Sequence, residues 1–101
     1  MKLDEQVKAL SPEARALHAR LTKEWGITDA AGTLTLLTAL QSLDRMRQAQ
    51  ALIAKDGILQ NDRFGTARPH PATQVEKESR AGLLQALKAL SLDFESLESE
   101  E

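Results

Sequence analysis

Apolar residues recur along this chain every three or four positions, and where that rhythm breaks a Gly or Pro stands close by. Leu3, Val7 and Leu10 form a short, weak stripe, expected to order only against a partner. Ser11-Pro12 is a sharper signal, a Ser N-cap followed by Pro at the first helical position. Ala14, Leu17, Leu21 and Trp25 then share one face, and Gly26 suits the position after a helix end, so a helix is predicted from Pro12 to Trp25. Thr28 or Asp29 caps the next helix, which reads to about Lys55 and stops at Gly57. Gly32 costs about 1 kcal/mol relative to Ala in a helix interior, which shifts the expected start toward Thr33. A third helix starts with Pro71 and buries Ala72, Val75, Ser79, Gly82, Leu83, Ala86 and Leu90, leaving Lys77, Arg80 and Lys88 on another side. Between the two long helices, Ile58-Leu59 has the composition to pair with Phe64 to Ala67 across an Asn61-Asp62 turn.

The pattern therefore predicts an all-α protein: a long helical hairpin, a short preceding helix, a polar connecting loop and an acidic disordered tail. Residues 1–92 form the helical domain and 93–101 the tail. The middle helix has an unusually broad apolar arc. Leu36, Leu40 and Leu43 mark one edge, Met46 and Ile53 extend one side, and Leu34, Leu37 and Leu52 spread away on the other. A helix packing on one neighbour needs a narrower stripe. Leu34, Leu37 and Leu52 are accordingly expected to face another subunit, with Leu37→Glu separating the subunits while leaving much of the helicity.

Composition sharpens this picture in two places. Leu and Ala dominate, and Trp25, Phe64 and Phe94 are the whole aromatic content, so the core has little bulk and self-association is an attractive source of further burial. Net charge is −2, but Asp93 to Glu101 holds five acids and no base. Removing them leaves 13 bases against 10 acids, a body of +3 with an acidic tail. The absence of Cys excludes disulfides and Cys-based zinc sites. No apolar run reaches the ~20 residues of a membrane span, and no signal-peptide core follows Met1-Lys2, so a soluble, unsecreted chain is expected.

Catalytic arrangements are not visible. The imidazoles are His18 and His70, without HExxH spacing, and neither Gly57 nor Gly65 belongs to a phosphate-binding Gly-Lys-Ser/Thr loop. Asp44, Asp56 and Asp62 read as an exposed helix face, a helix end and a loop. The expectation is no enzyme, no metal and no cofactor. His70, between two prolines, reads first as a turn residue, with helix capping or phosphate contact as its alternatives. Arg63 and Arg68 in the loop and Lys77, Arg80 and Lys88 beyond it are the best functional lead. On charge alone they read as solvated surface, paired with Glu76 or Glu78.

The order DRFG, a short basic link, HPA, the charged turn VEKESRA and then LLQALKALSLD resembles the small terminase subunits of tailed bacteriophages. The preceding WGITDAAGTLTLLTALQSLDRMRQAQALIAKDG is similar to the same family, so the likeness runs from about Leu17 to Asp93. Gly65, His70, Pro71, Ala72 and Glu76 fall at the family's motif positions. The resemblance implies a DNA-packaging protein without enzymatic activity that forms homo-oligomeric rings in the host cytoplasm. It implies binding of viral double-stranded DNA, with regulation of a large subunit that carries the ATPase and nuclease. Arg63, Arg68, Lys77, Arg80 and Lys88 then become phosphate contacts. Two other readings stay open: an oligomeric helical scaffold that binds protein but not DNA, and a small transcriptional regulator.

Overall fold

A computed structural model describes residues 2–90; the acidic tail assigned from the sequence lies outside them. The chain is all-α apart from a small ribbon. In order it runs α1 (Leu3–Lys8), α2 (Pro12–Glu24), α3 (Ala30–Asp56), β1 (Leu59–Asn61), β2 (Ala67–Pro69) and α4 (Pro71–Ala89). Local chemistry sets most of these boundaries. The Ser11 hydroxyl accepts the N–H of Ala14 at 3.1 Å, and Pro12 follows at the first helical position. Gly26, at φ +60°, ends α2, and Gly57, at φ +84°, caps α3, a backbone that a Cβ disfavours.

Two boundaries differ from expectation. Trp25 is the cap residue of α2 and is exposed, so it does not extend the apolar stripe. The long helix begins at Ala30, before Gly32. The Asp29 carboxylate folds over the first turn and accepts the N–H of Gly32 at 2.9 Å, and a Cβ on Gly32 would lie 2.7 Å from the other carboxylate oxygen. The cap offsets the poor helix propensity of Gly32, and the flexible Asp29 carboxylate lies close over its Cα.

α3 spans ~40 Å and is the spine of the molecule. α4 runs antiparallel along it: His70 meets Asp56 at one end, and midway a Cβ on Gly82 would touch the Ser42 hydroxyl at 3.4 Å. On α4, Ala72, Ser79, Leu83 and Leu87 are buried and Ala86 and Leu90 pack against the core, whereas Val75 is exposed. α1 and α2 cover another side of α3, bringing Leu10, Ala14 and Leu21 into one cluster with Leu36, Leu37, Leu40 and Leu43.

That second layer accounts for the broad arc. Leu37 is 1% exposed and belongs to the chain's own core, so it cannot serve as a subunit contact. The neighbour that the arc requires is the α1–α2 layer of the same chain. Leu34 and Leu52 do remain outside, at 56% and 48% exposure. They terminate a line of positions that share one helical bearing, Leu34, Thr38, Gln41, Arg45, Gln48 and Leu52, all exposed. The two leucines are thus ~27 Å apart across polar residues and form no continuous apolar stripe.

Asp44 also departs from its expected place on a solvated face. It is partly buried and accepts two bonds from Ser11, from the backbone N–H at 2.9 Å and from the hydroxyl at 2.5 Å. One serine therefore caps α2 and ties it to the middle of α3. His18 flanks the stripe of α2, and its buried Nε2 has no hydrogen-bond partner among the described residues.

Candidate nucleic-acid interface

The basic residues singled out from the sequence do not gather into one patch. Arg63 and Arg68 belong to the ribbon; Lys77, Arg80 and Lys88 belong to α4. Lys77 and Lys88, eleven positions and ~16 Å apart, share nearly one bearing on the exposed side of α4. Neither forms an ion pair among the described residues. Arg80 is turned toward α3 and pairs with Glu76, which also accepts from Gln50 of α3 at 3.4 Å. Arg80 keeps 58% of its side chain exposed, so this pair tempers it as a phosphate contact without removing its charge, as the Asp62 pair does for Arg68.

The ribbon holds the more developed arrangement. β1 and β2 are antiparallel, with Leu59 opposite Pro69, Gln60 opposite Arg68 and Asn61 opposite Ala67. The strand partner of Leu59 is thus later than the Phe64 to Ala67 segment expected, because the turn spans Asp62 to Thr66 and takes Phe64 with it. Asp62 organises that turn. One carboxylate oxygen accepts the N–H of Phe64 at 2.8 Å and of Thr66 at 3.0 Å, the other accepts from Arg68 at 3.3 Å, and its carbonyl accepts the N–H of Gly65 at 3.0 Å. Gly65 sits at φ +78°. The N–H of Thr66, then that of Phe64, hold the Asp62 carboxyl below the ordinary carboxylate range, with Arg68 acting in the same sense against partial desolvation.

This scaffolding presents Phe64 to solvent at 77% exposure, with the Arg63 guanidinium 4.9 Å from its ring centroid. A sequence reading built on charge picks out the two arginines and misses Phe64, although an aromatic set between them in RFGTAR is the available signal. The result is a cation–aromatic tip on a polar turn, suited to phosphate contact through the guanidinium groups.

His70 joins the ribbon to α4. Buried, it accepts the N–H of Ala72 through Nδ1 at 2.9 Å, so Nε2 carries the proton and donates to the Asp56 carboxylate 2.9 Å away. Capping is thus its role, and its carbonyl also accepts the Thr73 hydroxyl at 2.6 Å. Gly65 shapes the turn, His70 and Pro71 start α4, Ala72 is buried beneath the cap and Glu76 braces α4 on α3. A shallow apolar cleft of about 290 Å³ lies beside this joint, bordered by Leu52, Val75 and Pro71. Among the described residues no three His, Cys, Asp or Glu side chains gather as metal ligands, and no helix is long and apolar enough to cross a membrane. Compared with known proteins, the chain matches no family model, no curated protein and no solved structure.

Proposed function

We propose that this chain is the small subunit of a phage-type terminase, a homo-oligomeric DNA-packaging protein acting in the host cytoplasm. In this reading it forms rings, binds viral double-stranded DNA without catalysing a reaction itself, and regulates the large subunit. The order of residues from Asp62 to Asp93 suggests the family, and the carrying structural observation is the ribbon tip. Asp62 organises the turn and pairs with Arg68, which stays 68% exposed, while Arg63 and Phe64 are presented together on the braced loop. The exposed line of Lys77 and Lys88 offers a second, more diffuse basic surface.

One copy supplies few phosphate contacts, so binding by a monomer is weak. Repetition in a ring converts weak contacts into avidity where the DNA reaches several copies. Binding of duplex DNA across a salt series, for the wild type and for Arg63→Ala with Arg68→Ala, tests the reading. Folding and assembly size should be unchanged, affinity lower, and the slope of log affinity against log salt shallower by about one for each phosphate no longer neutralised. Equal affinities and slopes would remove the tip from the interface. Failure of the wild type to bind DNA at low salt would favour the protein-binding scaffold. Stimulation of a cognate large subunit separates the packaging reading from a transcriptional regulator.

A further inference from the structure

The two edges of the ribbon are chemically unlike. The N–H of His70 donates to the carbonyl of Ile58 at 2.8 Å and that of Asp62 to the carbonyl of Thr66 at 2.9 Å. In an antiparallel ladder hydrogen-bonded pairs alternate with non-bonded ones, so Gln60–Arg68 is the bonded pair between these two. Leu59 and Asn61 on β1, and Ala67 and Pro69 on β2, therefore turn their backbone polar groups outward. β1 offers two N–H and two C=O groups on its free edge, while β2 is blunted because Pro69 has no N–H. All three residues of β1 are exposed, Leu59 at 60%, and among the described residues no further strand lies beside it.

We propose that the outer edge of β1 pairs with the same edge of a second copy of this chain, making a four-stranded antiparallel sheet about a two-fold axis. The edge complements itself. Centred on Gln60, antiparallel pairing places Leu59 opposite Asn61 of the partner subunit, and Asn61 opposite Leu59 of the partner subunit. These are two hydrogen-bonded pairs that satisfy all four outward groups on each copy. Gln60 faces its own counterpart as the close, non-bonded pair at the axis. No charged side chain of β1 meets another across the seam, since the strand is Leu-Gln-Asn. A two-stranded ribbon is marginal by itself, and pairing extends it to four strands while covering part of exposed Leu59. Growth stops there, because both outer edges of the new sheet are β2 with its Pro69. Through this edge association closes at two copies and makes no fibre, so a larger assembly built through other surfaces holds an even number of copies. The pairing follows from edge geometry alone and is independent of DNA binding.

Asn61→Pro removes one outward N–H and leaves the inner ladder intact; Ala67→Pro makes the matching change on the other edge. Native mass and sedimentation across a concentration series should show an even number of copies for the wild type. Association should be at least tenfold weaker for Asn61→Pro and unchanged for Ala67→Pro, with helicity equal in all three. A wild type that is monomeric or odd-numbered, or equal association in the three proteins, would overturn the pairing. Should Asn61→Pro fail to fold, a covalent measurement replaces it, because the chain has no cysteine of its own. Gln60→Cys places thiols at the axis, in the non-bonded geometry where Cβ atoms come close. Mild oxidation should give a disulfide-linked dimer from Gln60→Cys and none from Ala67→Cys at the same concentration; equal yields from the two would sink the proposal.

Discussion

In α3, Leu36, Leu37 and Leu40 are sealed from water, whereas every residue of β1 and β2 is exposed. The helical body coheres by burial: three helices press leucines and alanines onto α3 from more than one side. The ribbon coheres by hydrogen bonds, most of them converging on Asp62. The two regions should therefore fail differently. Loss of a methyl group matters in the first and hardly registers in the second, while loss of a carboxylate does the reverse. His70 sits at the joint and takes part in both, buried like the body and hydrogen-bonded like the ribbon.

The largest effect expected is in the body. Leu37→Ala should destabilise by ~2–5 kcal/mol, the range for emptying a buried leucine site. Leu34→Ala and Leu52→Ala should stay within ~0.5 kcal/mol. Denaturant unfolding of the three variants checks the contrast, and near-equal losses would dissolve the distinction between core and surface on α3. Leu37→Glu, by the same reasoning, unfolds the chain and does not merely separate subunits, because its charge would be buried without a partner.

An intermediate effect is expected at the joint. His70→Ala removes the cap of α4 and the partner of Asp56, a loss of about 1–2 kcal/mol on the scale of other N-cap deletions. Asn is itself a good N-cap, so His70→Asn should recover part of the loss while leaving Asp56 without its imidazole. Unfolding midpoints rank wild type, Asn and Ala in that order if capping is what matters; an Asn variant no better than Ala would assign the stability to the contact with Asp56.

The smallest global effect belongs to the ribbon. Asp62→Ala should change overall stability by less than ~0.5 kcal/mol yet speed amide exchange at Phe64, Gly65 and Thr66. The pH dependence has a definite sign. Because the folded turn lowers the Asp62 pKa, its contribution is present above the ordinary carboxylate range and disappears as pH falls through the lowered folded value. Amide shifts of Phe64 and Thr66 should titrate together at a pH below that of an unconstrained aspartate, with the helices unaffected. A midpoint at or above the ordinary value would mean that the carboxylate does not organise the tip.

Helix ends were legible in the sequence because their signals are local. Ser11-Pro12, Asp29, Gly57 and Pro71 each act on backbone groups within a few residues, so neighbouring letters suffice to place them. Arg63 and Arg68 were legible too, as charges in a turn-prone segment. Their geometry was not. The i,i+4 pairing of Arg80 with Glu76 is readable in sequence, whereas Gln50 of α3, which also reaches Glu76, is brought there only by packing. The periodicity of α3 likewise established that more than one neighbour packs on it without saying which. Leu34 and Leu37 are identical residues less than one turn apart. Where α1 and α2 settle decides that one is core and the other surface. Asp44 and His70 follow the same rule: their hydrogen-bond partners lie 33 and 14 residues away, and contacts of that range are fixed by packing, which no local pattern encodes.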